Sequence, residues 1–170
     1  DKPNVITATF NKSYLELPKE IIKSTLQTHQ RYFTLIDIKD RMLNEFIIVA
    51  NNKDEKKLIK IGNERVVEAR LSDANFFWNR DKSFNLIKQI NKLKKVVFYE
   101  NLGSVYDKTQ RLRKMAYFIS DQLNINKEKL EIAASVSKSD LVSDLVSEFP
   151  ELQGEMGKYF ALNQGFEQDV

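Results

Sequence analysis

Apolar and polar positions alternate in short runs over the first fifty residues and then change period. "VITATF" (5–10), rich in β-branched residues, predicts a strand, and Pro18 at a first helical position opens a short helix in "PKEIIKSTLQ". "RYFTLI" and "NEFIIVA" flank the polar "DIKDR", a pattern that predicts an antiparallel hairpin. From Asp54 onward the spacing is helical. Val67, Leu71, Ala74 and Trp78 recur on one face of "GNERVVEARLSDANFFWNRD", and "FNLIKQINKLKKVVFYE" reads as a second, basic helix. Ser104 and Asp107 have capping-box-like spacing at the start of a helix from about Val105 to Leu123, whose apolar stripe is Leu112, Met115, Ala116, Ile119 and Leu123. Further helices are expected near 127–137 and 138–149, the latter ended by Pro150. The expected class is α+β, with a mixed portion over 1–81 and an all-helical portion over 82–170.

The segment "SVSKSDLVSDLVSEF" (135–149) places Asp140, Asp144 and Glu148 four residues apart. On one helix they share a side, opposite Leu141, Val142, Leu145, Val146 and Phe149. Such carboxylates lie about 6 Å apart and diverge, so they do not close around an ion. A solvated helix face is the expected reading, with Asp140 near the helix start, at capping-box spacing from Ser137.

Composition narrows the chemistry. The 170 residues are 42% hydrophobic and 11% aromatic, enough for one sizeable core or two small ones. There is no cysteine, which excludes disulfides, thiolate zinc sites and cysteine nucleophiles from this sequence. No run of about 18 apolar residues and no signal-peptide pattern occurs, and no membrane partner is expected. The missing initiator Met and the ending "NQGFEQDV" lead us to expect a piece of a longer polypeptide. The net charge of +3 conceals a gradient: +1 over 1–52, +7 over 53–126 and −5 over 127–170. A basic middle suits phosphate backbones, and the plain alternative is a solvated lysine-rich face.

Three stretches carry a resemblance: "GNERVVEARLSDANFFWNRD" (62–81), "LGSVYDKTQR" (102–111) and "ELQGEMGKYFA" (151–161). Together with "LPKEIIKSTLQTHQRYF" they resemble the β subunit of the bacterial two-subunit glycyl-tRNA synthetases. The resemblance implies a cytoplasmic, ATP-dependent ligase of α2β2 assembly. Its α subunit uses ATP and Mg²⁺ for the adenylate chemistry, while the β subunit, with a second β subunit alongside, engages glycine tRNA. This stretch is then expected to bind no cofactor and to have no catalytic residue of its own. RNA stems are held mainly through phosphates and 2′-hydroxyls, which makes Lys88, Lys92, Lys94, Lys95, Arg111, Arg113 and Lys114 the expected tRNA contacts.

The family's helical part resembles the HD superfamily of metal-dependent phosphohydrolases. Residue by residue, Lys108 stands in the place of the first histidine, Ser139 in that of the paired histidine and Asp140 in that of the paired aspartate. Metal-activated hydrolysis needs converging imidazoles and carboxylates, and the only histidine here is His29, far away in the sequence. No metal is therefore expected. Lys108 lies close to the apolar stripe on a helical wheel, so it is expected to reach Asp140 and fill the vacated position as an ion pair. Two alternatives from other classes are a stand-alone HD-type nucleotide phosphohydrolase and a purely structural interaction module.

Smaller features have structural readings. Alternation at the start of a strand points Tyr32 and Phe33 to opposite sides. His29 has no serine or cysteine neighbour that would make a nucleophile pair. Of the consecutive Phe76, Phe77 and Trp78, at least one must face away from any single core. Gly154 and Gly157 lack phosphate-loop spacing and suit a tight turn or close packing.

Overall fold

The structure is a computed structural model that describes residues 2–170. It is α+β and divides into two compact units, one ending at Asn79 and one running from Arg80 to Val170.

The first unit is built on a three-stranded antiparallel sheet of order β1-β3-β2, with β1 Asn4–Thr9, β2 Phe33–Ile36 and β3 Met42–Ala50. Ile6 lies opposite Ile48 and Ala8 opposite Phe46, so one face of the β1–β3 ladder is apolar, while Val5 and Val49 face outward as a second pair. Phe46 is the centre of this core, with the rings of Tyr32 and Phe10 at 5.1 and 6.5 Å. Phe33 is exposed, as alternation with Tyr32 requires. Helix α1 (Lys19–Lys23) and the wider turn after it bury Ile21, Ile22 and Leu26. The long helix α2 (Leu58–Asp81) buries Val67, Leu71, Ala74 and Trp78 and leaves Phe76 exposed. Its Glu64 carboxylate accepts the Thr9 N–H at 2.8 Å and its Glu68 accepts the Asn11 N–H at 3.3 Å, satisfying backbone donors that no ladder takes up.

The second unit is not all-helical, contrary to expectation. Helix α3 (Leu86–Gln89) passes into a 3-10 turn (Ile90–Lys95), and the chain then forms a hairpin of β4 (Val97–Tyr99) and β5 (Gly103–Ser104). The expected second basic helix is thus one α-helical turn and a 3-10 stretch, followed by a strand. "VVFY" is β-branched and aromatic, and "ENLG" supplies the turn, with Asn101 and Gly103 at positive φ. Helix α4 (Val105–Leu123) begins where expected, on a capping box: Asp107 N–H donates to Ser104 Oγ at 3.2 Å, and Ser104 N–H donates to the Asp107 carboxylate at 2.8 Å. The Ser104 N–H, and after it the Ser104 hydroxyl donating to the same carboxylate at 2.7 Å, hold the Asp107 carboxyl below its ordinary pKa. Helix α5 (Lys127–Val136) packs along α4.

The expected helix over 138–149 is broken. Ser139–Val142 is a 3-10 turn, Ser143 is extended, and only α6 (Asp144–Glu148) is α-helical. Asp140, Asp144 and Glu148 therefore do not share a face. Ser143 is the cap, accepting the Val146 N–H at 3.1 Å, whereas the Ser137 hydroxyl donates to the Ala134 carbonyl at 3.0 Å. A second carboxylate completes the break: Asp81, 4% exposed, accepts the Leu145 N–H at 2.7 Å. Asp144 turns outward and pairs with Arg80 at 2.7 Å. Helix α7 (Glu155–Asn163) closes the unit, with Phe160 against Phe84 and the Gln164 side chain clasping Leu86 N–H and the Phe84 carbonyl.

Asp81 carries a prediction. Burial, and secondly the nearby Asp144 charge, raises its pKa above the ordinary 3.8, against the opposing bond from Leu145. A raised carboxyl pKa subtracts stability above its folded value, and the penalty vanishes as pH falls toward 3.8. Asp81→Ala orphans the Leu145 N–H and should cost about 1–3 kcal/mol in urea unfolding. Asp81→Asn keeps an acceptor without the charge, so its stability relative to the parent should improve from pH 4 to pH 7. No change of that difference with pH would mean that Asp81 is not held in a desolvated site.

Candidate nucleic-acid interface

The β4–β5 hairpin stands at the start of α4 and gathers cations around it. Leu102 N–H donates to the Tyr99 carbonyl at 3.0 Å and Val105 N–H to the Val96 carbonyl at 2.8 Å, which closes the turn and joins it to the helix. Arg111, one turn beyond Asp107, donates from Nη1 to the Leu102 carbonyl at 3.1 Å. Lys94 Nζ lies 4.8 Å from the centre of the Tyr106 ring, and Lys108 Nζ lies 4.1 Å from that of Phe98. Val97 and Tyr99, on the other side of β4 from Phe98, are 80% and 66% exposed. From Lys82 to Tyr99 there are five lysines and no acidic residue.

The expected contact residues fall into two groups. Lys88, Lys92, Lys94 and Lys95 are exposed on α3 and the 3-10 turn leading into the hairpin, and Arg111 reaches the hairpin itself. Arg113 and Lys114 lie on the α5 side of α4. There Arg113 pairs with Glu131 and bonds Gln110, so its charge is already matched within the unit. Sequence reasoning missed Val97, Phe98 and Tyr99 because it extended the preceding helix through them, and it passed over Tyr106 although that residue lies on the helix expected from Val105. The signal was present in "VVFYENLG", whose residue types favour a strand and turn.

The expected Lys108–Asp140 ion pair does not form. Lys108 is taken by the Phe98 ring, because the capping box sets the first turn of α4 against the hairpin. Asp140 is 1% exposed and faces α7: its Oδ2 accepts the Gly154 N–H at 2.6 Å, and a Cβ on Gly157 would stand 3.2 Å from the same oxygen. Gly154 itself has φ +86°, so the two glycines give a left-handed turn and a close approach. Asp140 Oδ1 and Ser139 Oγ are buried without a protein hydrogen-bond partner. This environment of one carboxylate, a hydroxyl and backbone N–H does not fit the donor set of a hydrolytic metal. Among the described residues, no three His, Cys, Asp or Glu side chains gather where they would hold a metal ion.

The whole chain, residues 1–170, matches the family described as glycyl-tRNA synthetase beta subunit. The chain belongs to the glycyl-tRNA synthetase beta subunit family. It is 43% identical to the glycine–tRNA ligase beta subunit of Pseudomonas fluorescens over 99% of its own length and 25% of that protein's. Against the corresponding subunits of Thermodesulfovibrio yellowstonii and Delftia acidovorans the identities are 41% and 38%, over 25% and 24% of their lengths. The chain thus spans about a quarter of the curated relatives it matches.

In this member of the beta subunit family, the apolar stripe of α4 remains open to a groove. The groove, about 680 Å³, is lined by Leu112, Met115, Ala116 and Ile119 with Leu130 and Ala133 of α5. Met115 is 60% exposed. Among the described residues no helix is long and apolar enough to cross a membrane.

Proposed function

We propose that this chain is the part of a glycyl-tRNA synthetase beta subunit that holds tRNA while the alpha subunit, using ATP and Mg²⁺, attaches glycine. The carrying observation is the acid-free stretch from Lys82 to Tyr99, whose exposed lysines on α3 and the 3-10 turn lead into a hairpin with exposed apolar and aromatic side chains. Such a surface supports phosphate contact, whose affinity comes from counterion release. The second unit is an HD-like helical domain in which Lys108, Ser139 and Asp140 stand where metal ligands would be. Its open α4 groove suits a longer subunit, in which further polypeptide is available to cover it. The holoenzyme is an α2β2 assembly working in the cytoplasm, and the chain binds and positions RNA without hydrolytic chemistry of its own. The phosphohydrolase alternative is disfavoured by the burial of Asp140 against α7.

The test is tRNA binding by the full holoenzyme across a salt series, compared with a Lys88→Ala, Lys92→Ala, Lys95→Ala triple variant. The parent's log affinity should fall linearly with log salt, and the variant's slope should be shallower by roughly 0.7–0.9 for each lysine that contacts a phosphate. An identical slope and affinity would assign these lysines to a solvated face.

A further inference from the structure

The exposed side of the β4–β5 ribbon is more specific than a basic surface requires. Phosphate binding needs cations, but Val97 and Tyr99 turn an apolar strip to solvent, beside Leu102 in the turn, which is also exposed. The other side of the strand is occupied, since Phe98 lies beneath Lys108. The ribbon is also held in place. Arg111 grips the Leu102 carbonyl, the turn closes on Tyr99, and Gly103 at φ +83° leads directly into the capping box. An aromatic ring on a preorganised support loses little freedom when a ligand settles on it. Glu100 is the one acidic residue of the hairpin, and the nearest acid beyond it, Asp107, is engaged by Ser104 and flanked by Lys94 and Arg111.

Resting on the tRNA-binding reading, we propose that Tyr99 is a stacking platform for an unpaired nucleotide of the bound RNA, with Val97 widening the apolar contact and Lys94 and Lys95 holding the flanking phosphates. The faces of paired bases in an RNA stem are covered by their neighbours. Only an unpaired base offers a free π-face to an aromatic side chain, and lysines at the edge of the platform supply the charge that its backbone needs. Local charge favours RNA as the occupant over an apolar protein segment: Lys94 and Lys95 run into the strip, and the stretch from Lys82 to Tyr99 has no acid, against the single Glu100 that follows.

The experiment measures glycine tRNA binding to the holoenzyme carrying Tyr99→Ala or Tyr99→Phe, each over a salt series. Tyr99→Ala should weaken binding about 5- to 150-fold with an unchanged salt slope, because a ring and not a cation is lost. Tyr99→Phe, which keeps the ring, should bind within about twofold of the parent, and ultraviolet crosslinking should join the peptide containing Tyr99 to an unpaired nucleotide. Equal binding by Tyr99→Ala, a crosslink to paired nucleotides only, or loosened subunit assembly with intact tRNA binding would each overturn the proposal. If the lysine triple variant loses affinity and slope while Tyr99→Ala changes nothing, the tRNA-binding reading stands and the platform falls. If neither responds, both fall.

Discussion

Phe46→Ala is expected to remove about 3–5 kcal/mol from the stability of the first unit, as truncation of a fully buried aromatic side chain does. The ring is fully buried, packed against Tyr32 and Phe10, and opposite Ala8 across the β1–β3 ladder. Ala8, the residue opposite on the neighbouring strand, is too small to fill the hole, so a cavity term adds to the lost transfer free energy. Trp78, the only tryptophan, lies buried in the same unit and reports its unfolding by fluorescence. With a urea dependence of about 2 kcal/mol per molar, the midpoint should fall by roughly 2 M, and Phe46→Leu should fall clearly less. A midpoint shift for Ala below about 0.5 M would show that the sheet is not organised around this ring.

Gly103→Val should cost about 2–4 kcal/mol and should act on the hairpin and on α4 together. Two independent obstacles meet at this residue. Its φ of +83° is unfavourable for a β-branched side chain, and even a Cβ would stand 2.5 Å from Asp107 Oδ2. Relief requires Asp107 to move, and moving Asp107 breaks the reciprocal bonds with Ser104 that start the helix. Far-ultraviolet circular dichroism should therefore show weaker helix, and hydrogen exchange should rise in the first turn of α4 as well as in the hairpin. The capping contribution also has a sign in pH. Asp107 ionises more readily in the fold, so its stabilisation is complete above the ordinary carboxylate pKa of 3.8 and is lost as pH falls through the lowered value. Gly103→Val should flatten that acid-side loss. A variant with parental helix content and exchange would mean that the glycine is dispensable to the cap.

Local patterns made much of the fold legible. The three sheet strands, the α2 face of Val67, Leu71, Ala74 and Trp78, and the Ser104 cap could all be read because each depends on residues a few positions apart. The break at Ser143 could not. Carboxylates at four-residue spacing look alike on one helix and on two short pieces, and the choice was made by Asp81, 64 residues from Leu145. Lys108 was misplaced for the same reason: a helical wheel gives its angle but not the neighbour at that angle, which proved to be a hairpin absent from the expected element list.

The amino-acid sequence alone determined the α+β class, the basic middle, the lack of cysteine and of histidine beyond His29, and the family resemblance, because composition and short-range periodicity do not depend on how distant segments meet. Tertiary structure decided that Lys94 stands over the half-buried Tyr106 ring, that Asp140 serves a glycine turn, and that Arg113 answers Glu131 instead. Those outcomes depend on which surfaces come into contact, and a charged or aromatic side chain takes its role from the partner it meets there.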